Sequence, residues 1–350
     1  MSKNNKKRKV IIDGRFLGKD FNGAIRYGSE IIKELDKLVE DDNYIMLVPA
    51  DTKITLPVKN IQQVVNKGKG LFGWYLRVIW YLIKHRGLYI DFMNGLAIWR
   101  PSIICQHDIY AFYDAFDNTF WYTFSRKIRA YFDALFASKI VTVSEYSKKT
   151  MLEKLPIKAE KIMVIYNAWQ HLETVDKETD ILARLGIQSG NYYMFLGRLM
   201  KNKNIRWIFE VADRNPDDIF LIVGGLSDEK FSFYRGRNEN IVYSGFIPDE
   251  DLKTLYGKCK AFLFPSYIEG FGIPPMEALY YGAPIIISNT SSLPEVYGEA
   301  AHYIDPYKYD YDLDQLLHEP VTDPEKVLKR FSWQKSAREF YELIEYFRNT

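Results

Sequence analysis

The chain has 350 residues, more than one compact core needs, so two domains of ordinary size are expected. A composition 47% hydrophobic and 26% charged is that of a globular protein, and a net charge of +2 gives no global field for nucleic acid. The two cysteines, Cys105 and Cys259, lie far apart in apolar runs and read as buried free thiols in a reducing, cytoplasmic compartment rather than a disulfide or metal site.

The basic start (Lys3, Lys6, Lys7, Arg8, Lys9) runs directly into a short strand, so no signal peptide is expected. It reads as a solvated strand entry or as a contact with anionic lipid. Lys9-Val-Ile-Ile-Asp13 is a buried-strand run, and a loop through Asn22-Gly23 opens a helix to about Val39. Apolar runs at 44–48, 61–65, 88–92, 103–106 and 139–143 follow, mostly separated by helical patterns. After a polar stretch from His171 to Asp180, read as a linker, the pattern restarts with runs at 192–196, 219–223, 240–243, 261–264 and 284–287. The alternation predicts two doubly wound α/β domains, each a parallel sheet covered by helices. A final helix, 332 to about 347, carries Trp333, Phe340, Tyr341, Ile344 and Phe347 on roughly one face. Two facing domains of this kind leave a cleft lined by strand carboxyl ends, and ligands of open α/β sheets bind there.

The most informative loop runs from Phe264 to Leu279, FPSYIEGFGIPPMEAL. Gly270 and Gly272 let the backbone approach a ligand, and Pro274 and Pro275 suit the first turn of a helix. The helix start favours an anion such as phosphate. Glu269 in the loop and Glu277 in the first helical turn would place carboxylates beside that anion site. A ligand with hydroxyls next to its phosphates, a nucleotide sugar, suits that pairing. The competing reading makes Glu277 a partner of the helix dipole and Glu269 a solvated residue.

Here the sequence resembles glycosyltransferase family 4, the retaining enzymes of GT-B fold, whose Glu-x7-Glu motif matches Glu269 and Glu277. The resemblance continues through 282–289, 292–296 and 300–306. It implies that Glu269 contacts the donor sugar and Glu277 the ribose, with Gly270, Phe271 and Gly272 in the donor-binding loop. It also places Arg198 and Lys203, a basic pair beside a strand end, on the donor diphosphate. His107 would lie near the donor sugar and Asp108 toward the acceptor. Gly23 would face the diphosphate through its amide, with Ala24 where a second glycine is usual. Ser144, equally readable as a helix N-cap, and Asn167 match further family elements.

The resemblance implies domains over 1–172 (acceptor side) and 173–330 (donor-binding), with a helix over 331–350 crossing back to the first. It further implies metal-independent transfer, with no cofactor, of a hexose or deoxyhexose from a nucleotide-diphosphate sugar to a glycan or lipid-linked saccharide. Surface-polysaccharide synthesis by bacterial mannosyl-, rhamnosyl- or glucosyltransferases is the nearest parallel.

Three features point elsewhere. Gly68-Lys-Gly-Leu-Phe-Gly73, with Asp91 downstream, spells a dinucleotide fingerprint and supports an NAD-dependent oxidoreductase, but it follows the third strand, not the first. Asp310-Tyr-Asp312 imitates a metal-binding motif, yet reads as the solvated start of a surface helix. The apolar run from Leu71 to Ile83, in a stretch that continues to Arg86, is broken by Arg77 and too short to span a bilayer. It is either a covering helix or an interfacial one, anchored by Trp74 and Trp80 at the inner face of an anionic membrane. A non-catalytic nucleotide-sugar-binding subunit is the remaining alternative.

Overall fold

A computed structural model of the chain describes residues 7–19, 22–52, 54–113, 120–173, 178–197, 200–224 and 238–350. It divides into two compact units, Met1–Asn167 with Trp333–Thr350, and Ala168–Ser332.

The first unit is built on a seven-stranded parallel sheet. Its strands are β1 (Val10–Asp13), β2 (Tyr44–Pro49), β3 (Gln62–Asn66), β4 (Leu88–Asp91), β5 (Ser102–Cys105), β6 (Lys139–Thr142) and β7 (Ile162–Val164). They lie in the order β3-β2-β1-β4-β5-β6-β7. The four residues of β1 are all buried because both sheet faces are covered, which is why the strand reads as an unbroken apolar run. One face, carrying Ile11, Ile45, Tyr89, Ile104 and Ile140, packs against α2 (Gly70–His85), α3 (Phe120–Phe136) and α4 (Glu145–Lys154). α1 (Gly23–Leu38) packs against the last helix of the chain, α12 (Trp333–Asn349), and Phe340 of α12 meets Phe92 beyond β4. Trp333, Ala337, Phe340 and Ile344 are buried at helical spacing. The buried Arg348 guanidinium closes the helix end by pairing with Asp41 at 2.7 Å.

The second unit holds a six-stranded parallel sheet ordered β10-β9-β8-β11-β12-β13. The strands are β8 (Tyr192–Leu196), β9 (Ile219–Val223), β10 (Ile241–Gly245), β11 (Ala261–Phe264), β12 (Ile285–Ser288) and β13 (His302–Ile304). Helices α5 (Ile181–Leu185), α6 (Ile205–Arg214), α7 (Asp249–Lys258), α8 (Ile273–Tyr280), α9 (Leu293–Tyr297), α10 (Leu313–Leu317) and α11 (Glu325–Leu328) surround it. α6 and α10 share one core with the sheet, centred on Trp207, Phe209, Phe220 and Leu263.

Two strands escape the sequence pattern. β7 and β13 are three residues long and each ends its sheet, so neither shows an alternation or run long enough to register. The stretch expected to be a linker starts too early. Trp169 Nε1 donates to the Leu328 carbonyl, Gln170 Nε2 to that of Phe331, and the His171 side chain is buried against Glu277. These residues are part of the second unit's body. The Gly68–Gly73 segment leads from the edge strand β3 into α2, and a Cβ at Gly68 would stand 2.1 Å from the Gly73 carbonyl oxygen. Its glycines serve a tight turn at a sheet edge, not a phosphate cradle at the centre of the sheet. Asp312 caps α10 by accepting from the Gln315 amide. Cys105 and Cys259 are buried and free.

Candidate active site

In the second unit β8 and β11 are neighbours, but β8 leads through α6 to β9 on one side and β11 leads through α8 to β12 on the other. The strand order therefore reverses between them, and the loops at their carboxyl ends part to leave a crevice. Both loops carry expected site residues. They are tied together by buried amides. Asn204 Nδ2 donates to the carbonyls of Pro265 (3.1 Å) and Pro306 (2.8 Å), and the Tyr267 amide donates to the Asn202 carbonyl at 2.8 Å. Asn204 takes a left-handed conformation, φ 51°, which asparagine tolerates better than most residues.

Lys203 reaches across from the first loop to Glu269 in the second, Nζ to Oε1 2.7 Å. Its ammonium also lies 4.8 Å from the centroid of the Phe264 ring. The Glu269 backbone is clamped on both sides: its amide donates to Ser291 Oγ, and its carbonyl accepts from Ser292 Oγ. Arg198 lies outside the described residues.

Gly272, φ 88°, turns the loop into α8 in a conformation that disfavours a side chain. A Cβ there would meet Leu293 Cδ2 at 2.8 Å. Phe271 is buried edge-to-face on Phe331. α8 begins at Ile273, so Pro274 and Pro275 occupy its first turn as expected, but Glu277 is its fifth residue and belongs to the second turn. The prolines also remove two of the amides a helix start would offer an anion. Glu277 is held by both oxygens: Oε1 accepts from His171 Nε2 and Oε2 from the Tyr256 hydroxyl, each at 2.9 Å. Neither partner has a local sequence signal, since His171 precedes Glu277 by 106 positions and Tyr256 by 21.

The first unit brings its expected residues to the carboxyl ends of β4 and β5 and the start of α1. His107 is buried, edge-to-face on Tyr27, with Nε2 2.8 Å from the Phe92 carbonyl oxygen. A carbonyl only accepts, so Nε2 carries the proton and Nδ1 the lone pair. Burial holds the imidazole down to about 4, opposed by that hydrogen bond, and so neutral. Asp108 Oδ1 accepts from the Tyr110 amide in a local turn. Gly23 is exposed at the first position of α1. The next two amides, of Ala24 and Ile25, already donate to Asn22 Oδ1, which narrows what this helix start offers a diphosphate. Ser144 is the N-cap of α4, accepting from the Ser147 amide.

Sequence reasoning missed an acidic cluster at the switch point of this sheet, between β1 and β4. Asp13 Oδ2 accepts from Trp74 Nε1 and the Tyr89 hydroxyl, and Arg15 lies 3.5 Å from Asp91. Burial, then the Asp13 charge, pushes Asp91 up to about 6.

The model of the family described as glycosyl transferases group 1 matches residues 177–339, which takes in both site loops of the second unit. O-antigen chain mannosyltransferase B of Escherichia coli is 30% identical over 220 residues, 57% of this chain and 58% of that protein. O-antigen chain mannosyltransferase RfbU of Salmonella typhimurium is 26% identical over 321 residues, 85% of this chain and 87% of its own. The chain thus spans just over half the length of the first relative and most of the second. Anabaena HepE, solved in complex with UDP-glucose, superposes with a TM-score of 0.75 at 15% identity, covering 97% of this chain and 100% of that one. The chain shares the two-domain GT-B fold, and its second unit carries the match to glycosyl transferases group 1. Its two Rossmann-like units are the two halves of that fold.

Proposed function

We propose that this chain is a GT-B glycosyltransferase that moves a hexose or deoxyhexose from a nucleotide-diphosphate sugar to a glycan or lipid-linked saccharide in surface-polysaccharide synthesis. The observation that carries the reading is the Lys203–Glu269 contact at the switch point, with Glu277 held beside it by His171 and Tyr256. This cluster offers a cation for a diphosphate and two oriented carboxylates for sugar and ribose hydroxyls. The O-antigen relatives make a mannosyl donor the first to test.

Lys203, and Arg198 by its place in the sequence, would stabilise the departing nucleotide diphosphate as negative charge develops on it. Protein cations in that role support metal-independent transfer. The acceptor hydroxyl would attack the face the diphosphate leaves, a phosphate oxygen taking its proton, so the anomeric configuration is retained. No enzymic carboxylate nucleophile is needed. His107 Nδ1 would accept from a sugar hydroxyl, and Asp108 would hold the acceptor. A lipid-linked acceptor would place the protein at the cytoplasmic face of a membrane. Among the described residues no helix is long and apolar enough to cross one.

A thermal-shift panel of GDP-, UDP- and dTDP-sugars tests the donor, because ligand binding reports as stabilisation. One nucleotide series should stabilise the protein, and NMR of the product should show the donor's anomeric configuration preserved. Stabilisation by NAD instead would favour the oxidoreductase reading. Donor binding without transfer or hydrolysis would favour a non-catalytic subunit.

A further inference from the structure

Among the described residues twenty large hydrophobics are exposed, and thirteen of them lie on α2 and α3. Scattered exposed apolar residues are ordinary, but a contiguous patch marks an interaction surface. α3 is built the wrong way round for a helix facing water. It packs inward through Ala130 and Ala134, while Trp121, Phe124, Ile128, Tyr131 and Leu135 form an exposed stripe at alternating spacings of three and four. Trp121 is 74% exposed. On α2 the buried stripe is Trp74, Val78 and Leu82, and the opposite side presents Phe72, Leu76, Trp80 and Ile83. Both helices pack on the same face of the first unit's sheet, so their outward stripes belong to one side of that unit.

The exposed charges on these two helices have one sign. α2 contains Arg77 and Lys84, and α3 contains Arg126, Lys127 and Arg129. The one carboxylate on either helix, Asp133, is fully buried and accepts from the Ala97 amide. Lys84 Nζ sits 4.8 Å from the Trp80 ring centroid and the Arg126 guanidinium 5.6 Å from that of Tyr122, so cations border the rings. A symmetric contact between two copies would bring these cations against one another. An anionic lipid surface complements both the apolar stripe and its charge.

We infer that the outward faces of α2 and α3 together dock this chain on an anionic bilayer leaflet. The aromatic stripe of α3 would lie at the level of the headgroups, with Arg126 and Lys127 on lipid phosphates. At 16 and 17 residues the two helices are too short to cross a bilayer and would lie along it. This inference rests on the membrane-side placement proposed above and identifies the surface responsible.

The test is flotation of the full chain with vesicles of equal parts phosphatidylglycerol and phosphatidylcholine, or of phosphatidylcholine alone. Wild type should float with the anionic vesicles and far less with the neutral ones. Trp121→Glu/Phe124→Glu and Leu76→Glu/Trp80→Glu should each lower the bound fraction about tenfold or more. Phe246→Glu, at an exposed position of the second unit, should float as wild type does. Brominated-acyl phosphatidylglycerol should quench wild-type tryptophan emission, a measurement that needs no variant. Unchanged flotation of Trp121→Glu/Phe124→Glu would overturn the role of α3 while leaving membrane placement intact. Failure of wild type to float, with no quenching, would overturn both. So would light scattering that shows a wild-type dimer split by the α3 variant, since the face would then join two copies. Donor stabilisation in the thermal-shift panel is independent of all these outcomes.

Discussion

Lys203 Nζ and Glu269 Oε1 stand 2.7 Å apart, joining loops whose residues are 66 positions apart in the chain. The pair is mostly buried, and it brings a cation and a carboxylate together at the point where the second sheet reverses its strand order. For a nucleotide-sugar enzyme the cation would face the leaving diphosphate. Lys203→Ala should therefore lower kcat/KM by about a hundredfold, with an unchanged circular dichroism spectrum. Lys203→Arg should recover part of the loss, because charge rather than shape is the main requirement. Turnover close to wild type in the alanine variant would remove Lys203 from the donor site.

His171 and Tyr256 orient Glu277 and would act on the donor only through it. His171→Ala and Tyr256→Phe should each raise the donor KM about tenfold with little change in kcat, the signature of lost ground-state binding. Each should also cost about 1–3 kcal/mol of stability in denaturant titrations, since each removes a hydrogen-bond donor from a buried carboxylate oxygen. A fall in kcat at constant KM would speak against this assignment.

Gly272→Ala tests the loop backbone. The residue would have to keep φ 88° and displace Leu293 from a 2.8 Å contact. A stability loss of about 1–3 kcal/mol and weaker donor binding are expected together. Melting and donor titration of one preparation measure both.

His107 should be neutral throughout the working range. Its imidazole is held down to about 4 by burial, so its NMR titration midpoint should lie well below the ordinary 6.5. The kcat/KM profile should then show no limb near pH 6.5 that disappears in His107→Gln. A midpoint near 6.5 would mean the ring is solvated.

Asp133 gives a stability prediction with a defined sign. Burial raises it to about 8, while an unfolded aspartate titrates near 3.8, so the folded state holds the extra proton between those values. Stability should therefore fall as pH rises through this window, by up to about 1.4 kcal/mol per unit. Near pH 6.5 His107, low when folded, and Asp91, raised to about 6, add contributions of opposite sign, so Asp133 is isolated by comparing wild type and variant in the slope from 6.5 to 8. Asp133→Asn should flatten it, as denaturant midpoints across that range would show.

The sequence by itself determined the α/β class, most of the strands and the glycine- and proline-rich turn into α8. Each of these depends on neighbours a few positions apart: apolar runs buried on both faces, Gly272 and the prolines at a helix start, and two glutamates eight residues apart. The structure decided what depends on packing. His171, readable locally as part of a polar linker, is the buried partner of Glu277. β7 and β13 are strands only because a neighbouring strand accepts them at the sheet edge. Asp13 and Asp91, separate strand ends in the sequence, converge beside Arg15. The aromatic residues of α3 would be core by composition, yet its alanines take the inner face because they let the helix lie close to the sheet, and the rings are left outside. Which side of a helix is buried is a property of its neighbours, and those are set only when the chain has folded.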